Sequence, residues 1–299
     1  MQTFYHMTKR NIKMFFKDKG MFFTSLITPI ILLVLFVTFL AKVYRDSFAS
    51  ALPDGFEVSS SILNGMVGGE LVSSLLAVSC VTVAFCSNLL MVQDKVSGAK
   101  KDLYITPAKK STLAFSYYFA SLITTLIVSY TATGAGFIYL AIQGWFLSFA
   151  DVLLILLDVF LLTMFGTAIS SVINVFLSTN GQASAVGTIV SAGYGFICGA
   201  YMPISNFGVV LQNILSFLPG TYGTSLLRNH FLNGVFKQMS KTGFPSDVVE
   251  KIKDSVDCNL KFFNTNVSQS AMYLVMIGAI AVFIGLYVLI HVLRKNKNQ

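Results

Sequence analysis

DKVSGAKKDLYITPAKKST, running from Asp94 to Thr112, is the one polar segment of the chain enclosed by long apolar runs on both sides. Such a segment must sit in water. It carries five lysines (Lys95, Lys100, Lys101, Lys109, Lys110) against two acids (Asp94, Asp102), and short lysine-rich loops stay on the cytoplasmic side of a membrane. This loop therefore lies inside. Val96, Ala99 and Leu103 fall at helical spacing, while Pro107 biases Thr106 away from helix and closes the segment. The expectation is a short amphipathic helix outside the membrane, with a small apolar face that nothing of its own chain covers. Taken alone, the pattern is that of a solvated loop with a helical turn.

Composition agrees with a membrane chain. Apolar residues make up 55% of the 299 residues and charged residues 11%, with a mean hydropathy of +0.71; soluble domains carry about 25% charged residues. The formal charge of +8 gathers in short basic segments beside apolar runs, which is the pattern of membrane orientation and not of nucleic-acid binding. Cys80, Cys86 and Cys198 lie in apolar runs and Cys258 stands alone in a polar region, so no disulfide framework is implied and Cys258 reads as a free thiol.

Working outward from the loop, Phe4, Tyr5, Ile12, Phe15 and Phe16 share one side of a helical wheel, with Lys9, Arg10, Lys13 and Lys17 on the other. Residues 3–20 are thus expected to form an interfacial helix held by anionic membrane lipids. Residues 22–41 are uncharged and long enough to cross a roughly 30 Å hydrocarbon core. With no small-residue cleavage site near them, they read as an uncleaved signal anchor. Pro29 is expected to kink this span. Further spans are expected at 66–92, 113–142, 152–177, 185–202 and 269–293, six in all, with Trp145 at an interface. Pro203 and Pro219 bracket fifteen largely apolar residues, too few to cross, so 203–218 reads as a re-entrant helix entering from outside. Residues 219–268 follow as an external segment, in which Ser246-Asp247 precede Val248, Val249, Ile252 and Val256, a capped amphipathic helix whose apolar face needs cover. With this topology the inside segments hold thirteen basic residues against three acids and the remainder eight against ten. Both ends lie in the cytoplasm, and the fold class is all-α integral membrane.

Asp94, Gly98, Leu103 and Thr106-Pro107, followed at once by a new apolar run, resemble the loop between the second and third spans in permease subunits of bacterial ATP-binding cassette exporters of the second (ABC-2) type. Met202-Pro203, an apolar helix, and then Pro219, Thr221, Tyr222 and Arg228 are similar to a second pattern of that family. The resemblance covers nearly the whole chain. It implies that Asp94, Gly98, Leu103, Thr106 and Pro107 form a coupling helix that docks into a nucleotide-binding ATPase subunit, and that the N-terminal helix touches the same subunit. It also implies that spans two and five meet a second permease copy or a paralogue and line the translocation path. On that basis Ser73, Ser79, Thr82, Phe85 and Asn88 of span two and Phe196 of span five are expected to line the path. Met202, Pro203, Pro219, Tyr222 and Arg228 of the re-entrant region are expected to form the external gate. The implied location is the bacterial plasma membrane.

Two charges fall inside spans, and such charges are functional candidates. Glu70 lies about one turn inside the external end of span two, where it can reach the headgroups. Asp158 lies seven residues beyond Asp151 on the same face and roughly 10 Å deeper, so it must face protein or a water-filled cavity, and it joins the path residues. Gly195 and Gly199 form a Gly-x-x-x-Gly in span five, with Gly187, Ser191 and Ala192 nearby, which permits close helix contact within one subunit or between two.

No Gly-x-x-x-x-Gly-Lys-Ser/Thr occurs, so the chain does not cradle ATP phosphates itself and ATP with its Mg²⁺ must belong to a partner. His6, His230 and His291 lie outside the spans or at their ends without a His-Glu-x-x-His neighbourhood, and no Gly-x-Ser-x-Gly elbow is present. Neither a metal site nor an enzyme is expected. The function expected is that of the transmembrane subunit of an exporter, moving a lipophilic or amphipathic substrate (drug, peptide or lipid-linked molecule) outward. The alternative is an autonomous secondary carrier, which usually places ion sites at broken helices in repeated halves; the sequence has no repeat and one deep carboxylate.

Overall fold

A computed structural model of the chain describes residues 2–50, 59–106, 108–263 and 265–296. The coupling residue Pro107 and the tail residue Lys297 lie outside the described residues. Among the described residues the fold is all-α apart from one pair of two-residue strands, β1 (Lys261–Phe262) with β2 (Thr265–Asn266). In chain order the helices are α1 (Gln2–Lys17), α2 (Lys19–Leu35), a π-helical turn (Phe36–Leu40), α3 (Ala41–Ser50), α4 (Ser60–Asn88), α5 (Leu90–Val96), α6 (Ala99–Ile105), α7 (Lys110–Gln143), α8 (Phe149–Phe176), α9 (Asn180–Ile197), a 3₁₀ turn (Ile204–Asn206), α10 (Val209–Leu215), α11 (Pro219–Lys241), α12 (Ser246–Ser255) and α13 (Gln269–Asn296).

The bundle is built around α4. Apart from Glu70 this helix carries no charge, and it is apolar or small on every side, the pattern of a helix enclosed by others. Nearly all of its residues are buried, against α2, α7, α8, α9 and α11. Small residues set the spacing. A Cβ on Gly166 of α8 would stand 2.8 Å from the Cys80 carbonyl oxygen and 2.9 Å from the Val81 Cα, so the backbone of α8 rests directly on that of α4. α8 begins with a capping box, the Ser148 hydroxyl accepting from the Asp151 N–H while the Asp151 carboxylate accepts from the Ser148 N–H.

Among the described residues five helical stretches are long and apolar enough to cross a membrane: Lys19–Asp46, Ser60–Val96, Lys110–Gln143, Phe149–Phe176 and Gln269–His291. They coincide with five of the six expected spans, although the second starts six residues earlier than residue 66. The expected fifth span, 185–202, corresponds to α9, which starts and ends earlier. Asn180, Gln182, four glycines and two serines dilute its hydropathy. Gly199 falls beyond the helix in the left-handed region (φ +77°), and Gly195 makes room for the ring of Tyr201. The Gly-x-x-x-Gly pair therefore serves a chain reversal within this subunit and not a helix–helix contact.

Residues 203–218 do not form a single helix. They fold as the 3₁₀ turn and the seven-residue α10, after which Pro219, at the first turn of α11, opens a long buried helix. α11 is not part of a loose external segment. Gly223 packs on Leu162, and ten residues on, Asn233 donates to Asp151 at 2.6 Å, so α11 runs antiparallel to α8, with Gly223 about 16 Å along it from Asp151. Ser246 is the first residue of α12 and no side chain caps it, Pro245 occupying the N-cap position. The expected apolar face is present, however, and Val248, Val249 and Ile252 are covered by Leu232, Phe236, Met239 and Phe244.

Candidate translocation groove and coupling segment

The segment from 94 to 112 folds as the end of α5, a turn, α6 and the start of α7. Gly98 adopts φ +84° with open space around it, so the turn's backbone conformation, not packing, calls for glycine. Asp94 is buried. Its carboxylate accepts both arms of the Arg10 guanidinium, at 2.7 and 3.1 Å, and the Tyr117 hydroxyl as well. Hydrogen bonding to Asp94 holds the Arg10 guanidinium above its ordinary pKa. Lys95 donates to the carbonyls of Asn174, Val175 and Leu177 at 3.0, 2.8 and 2.7 Å, closing the C-terminal end of α8. The Thr106 hydroxyl donates to the Leu103 carbonyl at 2.6 Å and ends α6.

The apolar face of this segment is not left bare by its own chain. Leu103 packs against the cluster of Phe15, Met91, Leu113 and Tyr117, because α1 folds back over the foot of α7. The large apolar residue left in water is Ile105, 84% exposed. α1 buries Thr8, Asn11 and Phe15 and leaves Tyr5 and Phe16 exposed, so its buried stripe is rotated from the aromatic face expected from the sequence.

Between α2 and α9, with α4 as the floor, lies an open groove of about 1390 Å³. Ile31, Phe39, Val67, Thr188 and Phe196 are among the residues lining it. α2 and α9 are sparsely buried: α9 buries only Ala183 and Gly195, and Ile27, Ile30, Ile31, Ile189 and Phe196 are all exposed. Of the seven residues expected on the path, the structure brings Phe196 to this groove. Ser73, Ser79 and Thr82 are buried in the bundle and their hydroxyls donate to carbonyls of α4 itself. Phe85 sits in the central core, and Asn88 donates to the Ser170 and Ser171 hydroxyls of α8, both at 2.7 Å. The central position of α4 turns these side chains into the bundle.

Asp158 faces protein. It accepts from the Tyr273 hydroxyl at 2.7 Å and meets His230 Nδ1 at 2.5 Å, tying α8 to α11 and α13. His230 is thereby buried inside the bundle, not outside the spans as its sequence context suggested.

Arg228 is fully buried and is the hub of a polar cluster that joins four segments of the chain. Its guanidinium meets Glu70 at 2.7 Å and Asp257 at 3.3 Å, and it donates to the Gly199 carbonyl at 2.7 Å. The left-handed turn at Gly199 presents that carbonyl. Asp257 in turn accepts from the backbone N–H groups of Ile204 and Ser205. Burial pushes its carboxyl above the ordinary carboxylate range, against the pull of Arg228 and these donors. One side chain thus joins α4, α11, the chain leaving α9 and the chain leaving α12. Met202 and Pro203 line the groove, and the Tyr222 hydroxyl donates to the Ser216 carbonyl at 2.5 Å, closing the bend between α10 and α11.

Tyr117, Asp257 and Tyr273 were not singled out from the sequence, and Arg10 and His230 were given no role in the site. Their partners lie 23 to 115 positions away in the chain, and no local pattern marks them.

These features define a multi-pass membrane protein with an open groove on one side and a polar segment, Asp94–Thr112, between two of its long apolar helices. The chain belongs to the ABC-2 type transporter family, whose model matches residues 2–232. It is accordingly a transmembrane permease of an ABC transporter, with no catalysis of its own. No curated protein and no solved structure matches it.

Proposed function

We propose that this chain is the permease half of an ATP-driven exporter in a bacterial plasma membrane, moving lipophilic or amphipathic molecules outward. The observation that carries this reading is the groove of about 1390 Å³ flanked by two sparsely buried helices. A second permease, a copy or a paralogue, covers it, so that the two grooves enclose the path between α2, α4 and α9 of each chain. A separate ATPase subunit binds ATP and Mg²⁺ and docks at α5–α6, where Ile105 supplies the apolar contact and Arg10–Asp94 ties the docking segment to α1. The bend from Met202 to Tyr222, held by Arg228, forms the outer gate.

The test is to purify the permease with the ATPase encoded beside it and to follow hydrolysis in lipid vesicles. Burying a side chain of this size stabilises by about 1.5–3 kcal/mol, so Ile105→Asp is expected to lower ATPase recovery at least roughly tenfold while the permease still inserts. Full recovery with full stimulation would remove α6 from the coupling role.

A further inference from the structure

The groove carries a single charge. Glu70 is the only carboxylate among its described lining residues, and no lysine, arginine or histidine is among them. The wall is otherwise apolar, hydroxyl, amide or thiol, with Tyr44 among its residues.

Glu70 is 2% exposed, and it shares one guanidinium with Asp257. Glu70 and Asp257 thus compete for the single cation of Arg228. The two acids are unequally served. Asp257 has the N–H groups of Ile204 and Ser205 in addition to Arg228, whereas Glu70 has Arg228 at 2.7 Å and its Oε2 has no hydrogen-bond partner among the described residues. The acid with the fewer donors is therefore Glu70, the one that lines the groove. A buried charge without a partner is costly, and a cation brought within a few ångströms offsets that cost.

We propose that the groove takes amphiphiles carrying one positive charge, with the cationic end near Glu70 and an apolar body against Ile31, Phe39 and Phe196. This rests on the permease reading for the direction of movement but not for the binding preference. Drug-sized ligands fill pockets of about 300–1,000 Å³, so a groove of about 1390 Å³ admits a bulky aromatic or acyl body. At an effective dielectric of about 20 and a separation of about 6 Å, the charge attraction is worth roughly a hundredfold in affinity.

The experiment uses tetraphenylphosphonium and tetraphenylborate, a cation and an anion of nearly equal size. Each is titrated against the purified full-length permease, with empty micelles as the blank. Wild type is expected to bind the cation saturably and at least tenfold more tightly than the anion, and Glu70→Gln to weaken cation binding at least tenfold. Val43→Lys adds an ammonium on an exposed groove residue beside Tyr44 and leaves Glu70, Arg228 and Asp257 in place. It is expected to give the same loss even if Glu70→Gln fails to fold. Equal affinity for the two ions in wild type, or cation binding unchanged by Val43→Lys, overturns the proposal. Binding is read without ATPase or ATP, so that result leaves the exporter assignment standing. Loss of ATP-driven export with intact cation binding would instead count against the exporter reading alone.

Discussion

Arg10→Met separates the contribution of the Arg10–Asp94 pair from that of packing, because methionine keeps an apolar stem in the same place. The Asp94 side chain is 4% exposed and that of Arg10 30%. Breaking a fully buried pair from one side costs about 3–5 kcal/mol, and an exposed pair is worth up to about 1 kcal/mol. A bidentate contact with one end buried falls between, at about 2 kcal/mol, and that corresponds to roughly thirtyfold in the opening equilibrium of α1. Hydrogen exchange in lipid nanodiscs reads this directly, since the amides of α1 exchange through local opening. They should exchange roughly thirtyfold faster in the variant, with the amides of α8 unchanged. The double variant Arg10→Met with Asp94→Asn removes the stranded carboxylate, and it should recover part of the loss. Exchange of α1 within twofold of wild type in Arg10→Met would refute the claim that this pair binds α1 to the coupling segment.

Arg228→Met leaves Glu70 and Asp257 as two buried carboxylates with no cation, and should cost about 3–5 kcal/mol, seen as a lower unfolding temperature and a poor yield of monodisperse protein; wild-type melting would contradict the hub. Gly166→Leu drives a side chain into the α4 backbone, 2.8 Å away at the Cys80 carbonyl, and should destabilise by about 1–3 kcal/mol, measured by the same melting. Val249→Asp with Ile252→Asp places charges against Phe236, Met239 and Phe244. It should release α12 to limited proteolysis while α4 to α8 stay protected, and equal protection of α12 would show that its face is not held.

What the sequence made legible was whatever depends on local composition. The polar Asp94–Thr112 segment and five of the long apolar helices follow from runs of one character over ten or more residues. α11 was misplaced for a physical reason. Arg228, His230, Lys237 and Lys241 give it the polarity of a solvated helix, yet Arg228 and His230 find partners in Glu70, Asp257 and Asp158 from three other elements. Such pairing is a property of the packed bundle, invisible along the chain. Burial of the α4 hydroxyls has the same origin: Ser73, Ser79 and Thr82 look like path residues in a linear reading, but α4 is enclosed on nearly all sides. Leu103 and Ile105 exchange roles because α1 folds back and covers one and not the other.

The central claim is that two permeases meet over the groove between α2 and α9. The described cysteines, Cys80, Cys86, Cys198 and Cys258, are all buried, so a single new thiol reports its own surroundings. Thr188 is exposed and lines the groove, whereas Val282 is 60% exposed on α13. The account predicts that, under mild oxidation in the membrane, Thr188→Cys cross-links two permease chains into a dimer and Val282→Cys does not. Cross-linking through Val282→Cys with none through Thr188→Cys would contradict it.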